Sequence, residues 1–322
     1  MRPGARHGAR QGPDGRFLNP DGGVAGNSLR EVWRMMREGG GTPWPRHLDD
    51  PAEDPPAEPP PGHAAITFIG HATFLIGLHG GPTLLTDPIW SERCSPFSFL
   101  GPRRARAPGL RLEALPPLDA VLLSHNHYDH LDVPTLRALE APRIVTGLGN
   151  SRILTRNGLP EAEELDWWGE TTVGRATVTY LPARHFSARA IGDRGRSLWG
   201  GFAIRVTEGA ILFAGDTAHG GHLAEIGAEA GPFAIGLIPI GAYEPNWFMR
   251  VVHMNPEEAV RARAETRTRT AVAMHFGTFK LTQEGIDEPP RALAEARAAA
   301  GLPAGDFVVP RFGQTLMLPL GS

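Results

Sequence analysis

An α/β sandwich with mixed β-sheets is the architecture that this 322-residue chain predicts. Three observations point to it. Short apolar runs bounded by glycine, proline and histidine recur from Ala65 onward. Segments of helical spacing alternate with them in both halves, the pattern that places helices against sheets. Hydrophobic residues make up 41% of the chain, enough to fill one large core or two ordinary ones. No repeat of fixed period appears, which rules against solenoids and propellers.

The elements follow in order. The opening MRPGARHGARQGPDGRF carries positive charge with no apolar segment behind it, so neither a secretory signal nor a membrane span is legible and a cytoplasmic protein is expected. NSLREVWRMMREGG predicts a short helix that Asn27 or Ser28 can cap. Leu29, Val32, Trp33 and Met36 share one face of it, with Arg30, Arg34 and Arg37 largely opposite. Such a helix either packs on the domain or lies in an anionic interface, here the inner membrane surface. The tract TPWPRHLDDPAEDPPAEPPP can neither build a ladder nor bury a face, and it reads as a linker or surface wrap. Residues 1–62 are therefore an N-terminal extension and residues 63–322 the main domain.

AAITFIG, ATFLIGL and PTLLTDP then predict a β-meander, and DAVLLSHNHYDH a buried strand that stops at polar residues. VPTLRALEA has helical spacing at Val133, Leu136 and Leu139, so the histidines before it fall on a strand-to-helix loop. Later strands are expected at RIVTG, ATVTYLPA, GFAIRV, AILFAGD, AIGLIPIG and AVAMHFG, and helices at PEEAVRARAET and RALAEARAAAG.

Composition narrows the chemistry. A net charge of −3 and no basic block beyond the short Arg103, Arg104, Arg106 cluster exclude nucleic acid as the first partner to propose. With Cys94 the single cysteine there is neither a disulfide framework nor a thiolate cage, so a metal site must use imidazole and carboxylate. His125, His127, Asp129 and His130 crowd into six loop positions, where burial without partners is costly. Further strands end near His185, Asp216 and His275. A lone histidine after a strand is usually a packing residue, but several strands can aim ligands at one point, and metal binding accounts for the set.

These seven residues resemble the H-x-H-x-D-H signature, with a later His, Asp and His, of the metallo-β-lactamase-fold hydrolases. The resemblance implies an αββα four-layer sandwich. It also implies two metal ions, one on His125, His127 and His185, the other on Asp129, His130 and His275, with Asp216 bridging. Longer blocks, including GHAT, TDPIWSERCSP, LPPLDAVLLSHNHYDHLD, GPFAIGLIPIGAYEPNWFM and HFGTF, are similar to the N-acylphosphatidylethanolamine-hydrolysing phospholipases D of that family. The similarity runs over residues 16–318 and departs in the proline-acidic tract and at HGGHLAEIG after Asp216, so it does not carry acyl specificity.

The implied activity is a dinuclear zinc phosphodiesterase releasing N-acylethanolamine and phosphatidic acid from a phospholipid. Two divalent ions about 3.5–4 Å apart make water a nucleophile at neutral pH and clamp an in-line phosphoryl displacement. Two ions, two aspartates and a hydroxide sum to about +1, which suits an anionic diester better than a neutral lactone. Zinc fits the donors best, with iron or manganese also compatible. Asp129 is expected to ligate and to orient the nucleophile. His253, just before PEEAV, matches a histidine of the phospholipase family and is the candidate general acid. His71 is expected to pack or hydrogen-bond near the site and not to ligate, His219 and His222 to be loop histidines, and Trp167 and Trp168 to pack or to wall the substrate. The alternatives are a lactonase or sugar-phosphate hydrolase of the same fold acting on a soluble substrate, and a non-catalytic metal-binding module.

Overall fold

The computed structural model describes residues 7–23, 26–139, 143–190 and 192–321, without the side chains of Leu29 and Met36. The capped helix forms as α1 (Leu29–Glu38): Ser28 accepts from the Glu31 N–H and Glu31 accepts from the Ser28 N–H. The first sheet then begins with β1 (His63–Gly70), β2 (Thr73–Leu78) and β3 (Thr83–Thr86), an antiparallel meander. It continues in parallel through β4 (Ala120–Leu123), β5 (Arg143–Gly147) and β6 (Glu163–Leu165). The second sheet repeats this plan. Antiparallel β7 (Glu170–Val173), β8 (Ala176–Pro182), β9 (Gly200–Val206) and β10 (Gly209–Phe213) lead into parallel β11 (Phe233–Pro239), β12 (Thr268–Met274) and β13 (Phe307–Val308). Finally β14 (Thr315–Pro319) returns to pair with β1, giving two seven-stranded mixed sheets.

Burial shows how they stack. Alternate residues of β4 face opposite ways: Ala120 and Leu122 join the core between the sheets, Val121 and Leu123 the core under the helices. The first sheet is covered there by α2 (Val133–Ala138) and α3 (Ser151–Arg156), through Val133, Leu136 and Leu154. The second is covered by α4 (His222–Glu229), α6 (Pro256–Glu265) and α7 (Glu288–Ala299), while the four-residue α5 (Asn246–Met249) precedes α6. The layers are therefore α, β, β, α, as the sequence predicts. Phe68, Phe74, Tyr180, Phe202 and Phe213 fill the space between the sheets, each contributing about 1.5–3 kcal/mol by burial.

The N-terminal residues lie against this sandwich. Phe17 is buried and its N–H donates to the Gly195 carbonyl. The proline-acidic tract follows the surface, pinned where Thr42, Leu48 and Glu53 donate N–H bonds to Gln283, Ala105 and Gly109. Trp167 and Trp168 are buried, and the Trp167 indole donates to the Trp199 carbonyl, so both pack in the core while also lining a cavity with Pro20 and Pro182, away from the histidine cluster. Among the described residues no helix is long and apolar enough to cross a membrane.

Candidate metal centre

Both sheets deliver chemistry at their strand ends. His71 follows β1, Asp87 follows β3, and Ser124 and His125 follow β4; His185 and Asp216 lie just past β8 and β10, and His275 follows β12. His71, Asp87 and His275 adopt left-handed backbone angles (φ 57°, 34° and 60°), strain of the kind that concentrates at functional sites. The His275 N–H donates to the His71 carbonyl at 2.8 Å, which locks two of these turns together.

All seven sequence-predicted ligands converge. His125 Nε2 and His185 Nε2 approach His127 Nδ1 to 2.9 and 3.2 Å. Beside them, Asp129 Oδ2 lies 3.5 Å from His130 Nε2 and 3.6 Å from His275 Nε2. Asp216 stands between the two groups: its Oδ2 is 3.1 Å from Nε2 of His130 and of His275, 3.8 Å from that of His185 and 4.0 Å from that of His125. His253 also enters, its Nε2 3.8 Å from the same oxygen. His71 is more intimate than a packing residue, its Nε2 2.9 Å from Asp129 Oδ2.

The donors fit a metal. Among the described residues, His130 Nε2, Asp216 Oδ1, His253 Nδ1 and both ring nitrogens of His275 are buried without a hydrogen-bond partner. Such groups are costly to leave bare, and ligation would satisfy His130 Nε2, Asp216 Oδ1 and one ring nitrogen of His275. The opposite edges of several rings are fixed: His125 Nδ1 on Ser124 Oγ (2.9 Å), His130 Nδ1 on Asp87 (2.7 Å) and His185 Nδ1 on the Val252 carbonyl (2.9 Å). This is the support that orients imidazole ligands.

Sequence reading missed Asp87, Ser124 and Asn19. Asp87 is fully buried and also accepts from the Ser124 N–H and hydroxyl; Asn19 Oδ1 accepts from the His185 N–H. The strand-terminal aspartate in PTLLTDP was the available signal for the first. His222 is not a loop residue: it opens α4, is buried, and bonds Thr217 beside Asp216.

Burial pulls His71 and His127 down to about 3 and His185 to about 4, so these rings are neutral, which leaves His127 and His185 ready to ligate and His71 able to hold Asp129. For His130 and His275 burial is outweighed by Asp216 and Asp129, which hold His130 well above its ordinary value and His275 at about 9. Both therefore carry a proton at neutral pH in the metal-free protein. Metal loading at pH 7 is expected to release about two protons, seen as a buffer-dependent calorimetric enthalpy, and to strengthen as pH rises toward about 9. The stability sign is opposite. His275 stabilises the metal-free fold fully below its unfolded value near 6.5, and that contribution is lost as pH rises through about 9. Loading without proton release would mean that these two histidines do not ligate.

Two mixed sheets flanked by helices, with a buried His/Asp cluster able to bind metal at their strand ends, define a protein of the metallo-β-lactamase fold. The family model described as a beta-lactamase superfamily domain matches residues 83–276, and the chain belongs to that family. An uncharacterized Mycobacterium tuberculosis protein is 42% identical over 241 residues, 72% of this chain and 63% of that protein, so the chain spans less than two thirds of this relative. The N-acyl-phosphatidylethanolamine-hydrolyzing phospholipase D 1 of Caenorhabditis elegans is 38% identical over 245 residues, 71% of this chain and 68% of that protein. A possible metal-dependent hydrolase from Veillonella parvula shares the fold with a TM-score of 0.64 at 16% identity, over 80% of this chain and 100% of that one.

Proposed function

We propose that this chain is a dinuclear zinc phosphodiesterase cleaving N-acylphosphatidylethanolamine-type phospholipids into N-acylethanolamine and phosphatidic acid. The observation that carries the reading is the Asp216 carboxylate, with Oδ2 within 3.1–4.0 Å of Nε2 of five histidines. A carboxylate so surrounded is suited to being shared. His125, His127 and His185 would hold one ion, Asp129, His130 and His275 the other, and Asp216 both. Imidazole and carboxylate donors favour zinc, with iron or manganese compatible. When bound, such a pair supplies Lewis acidity and a clamp for in-line displacement at phosphorus. The name of the worm relative supports the substrate class.

The chain's own residues complete the chemistry. His71 holds one oxygen of Asp129, fixing a carboxylate that can orient the attacking water and accept its proton. The water oxygen forms the new bond to phosphorus, and the bond from phosphorus to the ethanolamine oxygen breaks. The leaving alkoxide takes its proton from His253. Burial keeps His253 well below its ordinary value in the free protein; the negative phosphodiester, once bound, raises it toward the protonated form a donor needs.

Access to lipid is peripheral in this reading. Trp33 of α1 is 62% exposed, while Arg34 lies over the Trp247 ring at 4.2 Å, so the helix docks through an arginine and leaves its tryptophan outward. Mass spectrometry after turnover in heavy-oxygen water tests the function: the label is expected in phosphatidic acid. Label in the N-acylethanolamine, release of diacylglycerol, or turnover only of lactones or sugar phosphates would replace the reading.

A further inference from the structure

We propose that the loop of residues 95–101 is a second lipid anchor, inserting Phe97, Phe99 and Leu100 into a bilayer surface that carries anionic headgroups. The proposal rests on the lipid-substrate reading above and adds a surface to it. Phe97, Phe99 and Leu100 are 50%, 78% and 61% exposed, three large apolar side chains within four positions. Single exposed apolar residues need no explanation, but a cluster at one loop tip does. The two phenyl rings lie 5.6 Å apart, centroid to centroid, so they present one surface.

The loop has a closed neck that holds this tip outward. Arg93 and Arg103 form an antiparallel bridge, the Cys94 N–H donates to the Pro102 carbonyl, and the Arg93 guanidinium donates to the Gly101 carbonyl at 2.6 Å. Gly101 has φ +105°, and a Cβ there would fall 2.6 Å from that of Ser95, so the neck closes because this residue is glycine. Cys94, just inside the neck, is buried with Ile89 and Phe279. The base is therefore rigid and only the apolar tip projects.

Position ties the tip to the metal cluster. Arg104 bridges Phe279, whose ring stands edge-on to His71 at 5.4 Å. From Phe279 the chain runs through exposed Leu281 to Gln283, which donates to the Gly39 carbonyl and accepts from Thr42. One five-residue segment thus begins at the site, meets the loop's neck at one end and the end of α1 at the other.

Charge selects the occupant. Arg93 at the neck and Lys280 beside Leu281 have no carboxylate partner among the described residues, whereas Arg103 pairs with Glu92. Apolar side chains outermost, with cations behind them that no carboxylate neutralises, match acyl chains beneath anionic headgroups. A second protein would have to present a pocket for two phenyl rings.

The test uses the full chain and phosphatidylcholine vesicles with about a third phosphatidylglycerol and no N-acylated lipid. Phe97→Ser/Phe99→Ser/Leu100→Ser is expected to weaken cosedimentation by about tenfold or more, with the melting temperature and turnover of a short-chain soluble diester unchanged. Because Cys94 is buried, Phe99→Cys supplies an exposed thiol for an environment-sensitive dye, whose emission should shift to the blue on adding vesicles. Equal binding by wild type and triple variant, or a dye that does not respond, overturns the anchor. So does a triple variant that only converts a dimer to a monomer, which would make the patch a self-association surface. If the triple variant misfolds, the dye alone decides. Since no hydrolysis is read on these vesicles, failure here leaves the proposed reaction standing, and failure of the reaction leaves the binding result intact.

Discussion

Asp216→Ala is expected to strip metal from both halves of the cluster together and to lower turnover by at least about 10²–10³-fold, the range for losing one electrostatic stabiliser. No other carboxylate oxygen in the cluster lies within 4.0 Å of five imidazole nitrogens. By contrast, the ring nitrogens that His127 meets are those of His125 and His185, so His127→Ala is expected to weaken one ion and spare the other. Elemental analysis of purified protein distinguishes them: wild type near two metals per chain, His127→Ala closer to one, Asp216→Ala lowest. Asp216 also supports the positive charge on His130 and His275, so removing it destabilises the metal-free fold. Asp216→Asn keeps the shape and loses the charge, and it should lose metal while remaining folded. Equal metal loss for every single substitution would remove the case for a shared ligand.

The sheets were legible where burial is two-sided. Every strand that the apolar pattern missed lies at an edge: β14 and β6 close the first sheet, β13 and β7 the second. Edge strands pair on one side only, and β7 and β14 are largely open to solvent, so their sequences ETTV and TLMLP need not follow the alternation of interior strands. The short helices α3 and α5, of six and four residues, are too brief to set up a period.

The ligand loop was legible for a different reason. His125, His127, Asp129 and His130 are neighbours in the chain, and their crowding is visible before any folding. Asp87 is not. Its role exists only because β3 and β4 lie parallel with Thr86 opposite Leu122, which brings the next residue of one strand beside Ser124 at the end of the other. Asn19 is further from inference, since its bond to His185 spans 166 positions and nothing in its local sequence marks it. The residues that sequence reading brings together most readily are those with a local signature, and the ones it misses reach the cluster's histidines only across the fold.

His253→Ala is expected to lower kcat by about 10²–10⁴-fold, the usual yield of general acid catalysis, while metal content stays at the wild-type level. The histidine is positioned by its chain neighbours. Its N–H donates to the Met249 carbonyl, and two residues on, Asn255 and Glu258 form the reciprocal cap that starts α6 at Pro256. Its ring centroid is then 5.0 Å from that of His185 and 5.1 Å from that of His275, inside the cluster yet outside the two three-residue sets. A proton donor matters in proportion to how poor the leaving group is. An N-acylethanolamine alkoxide is a poor one and should feel the full loss, whereas a nitrophenyl phosphodiester expels a stable anion and should lose little. Wild-type kcat should fall as pH rises past the value of bound His253, and the variant should lose that limb, because only the protonated ring can donate. His185, Asp216 and His253 also form a group whose atoms could hold a metal. If His253→Ala loses metal, or slows both leaving groups alike, the residue is a ligand and the proton must reach the alkoxide from elsewhere.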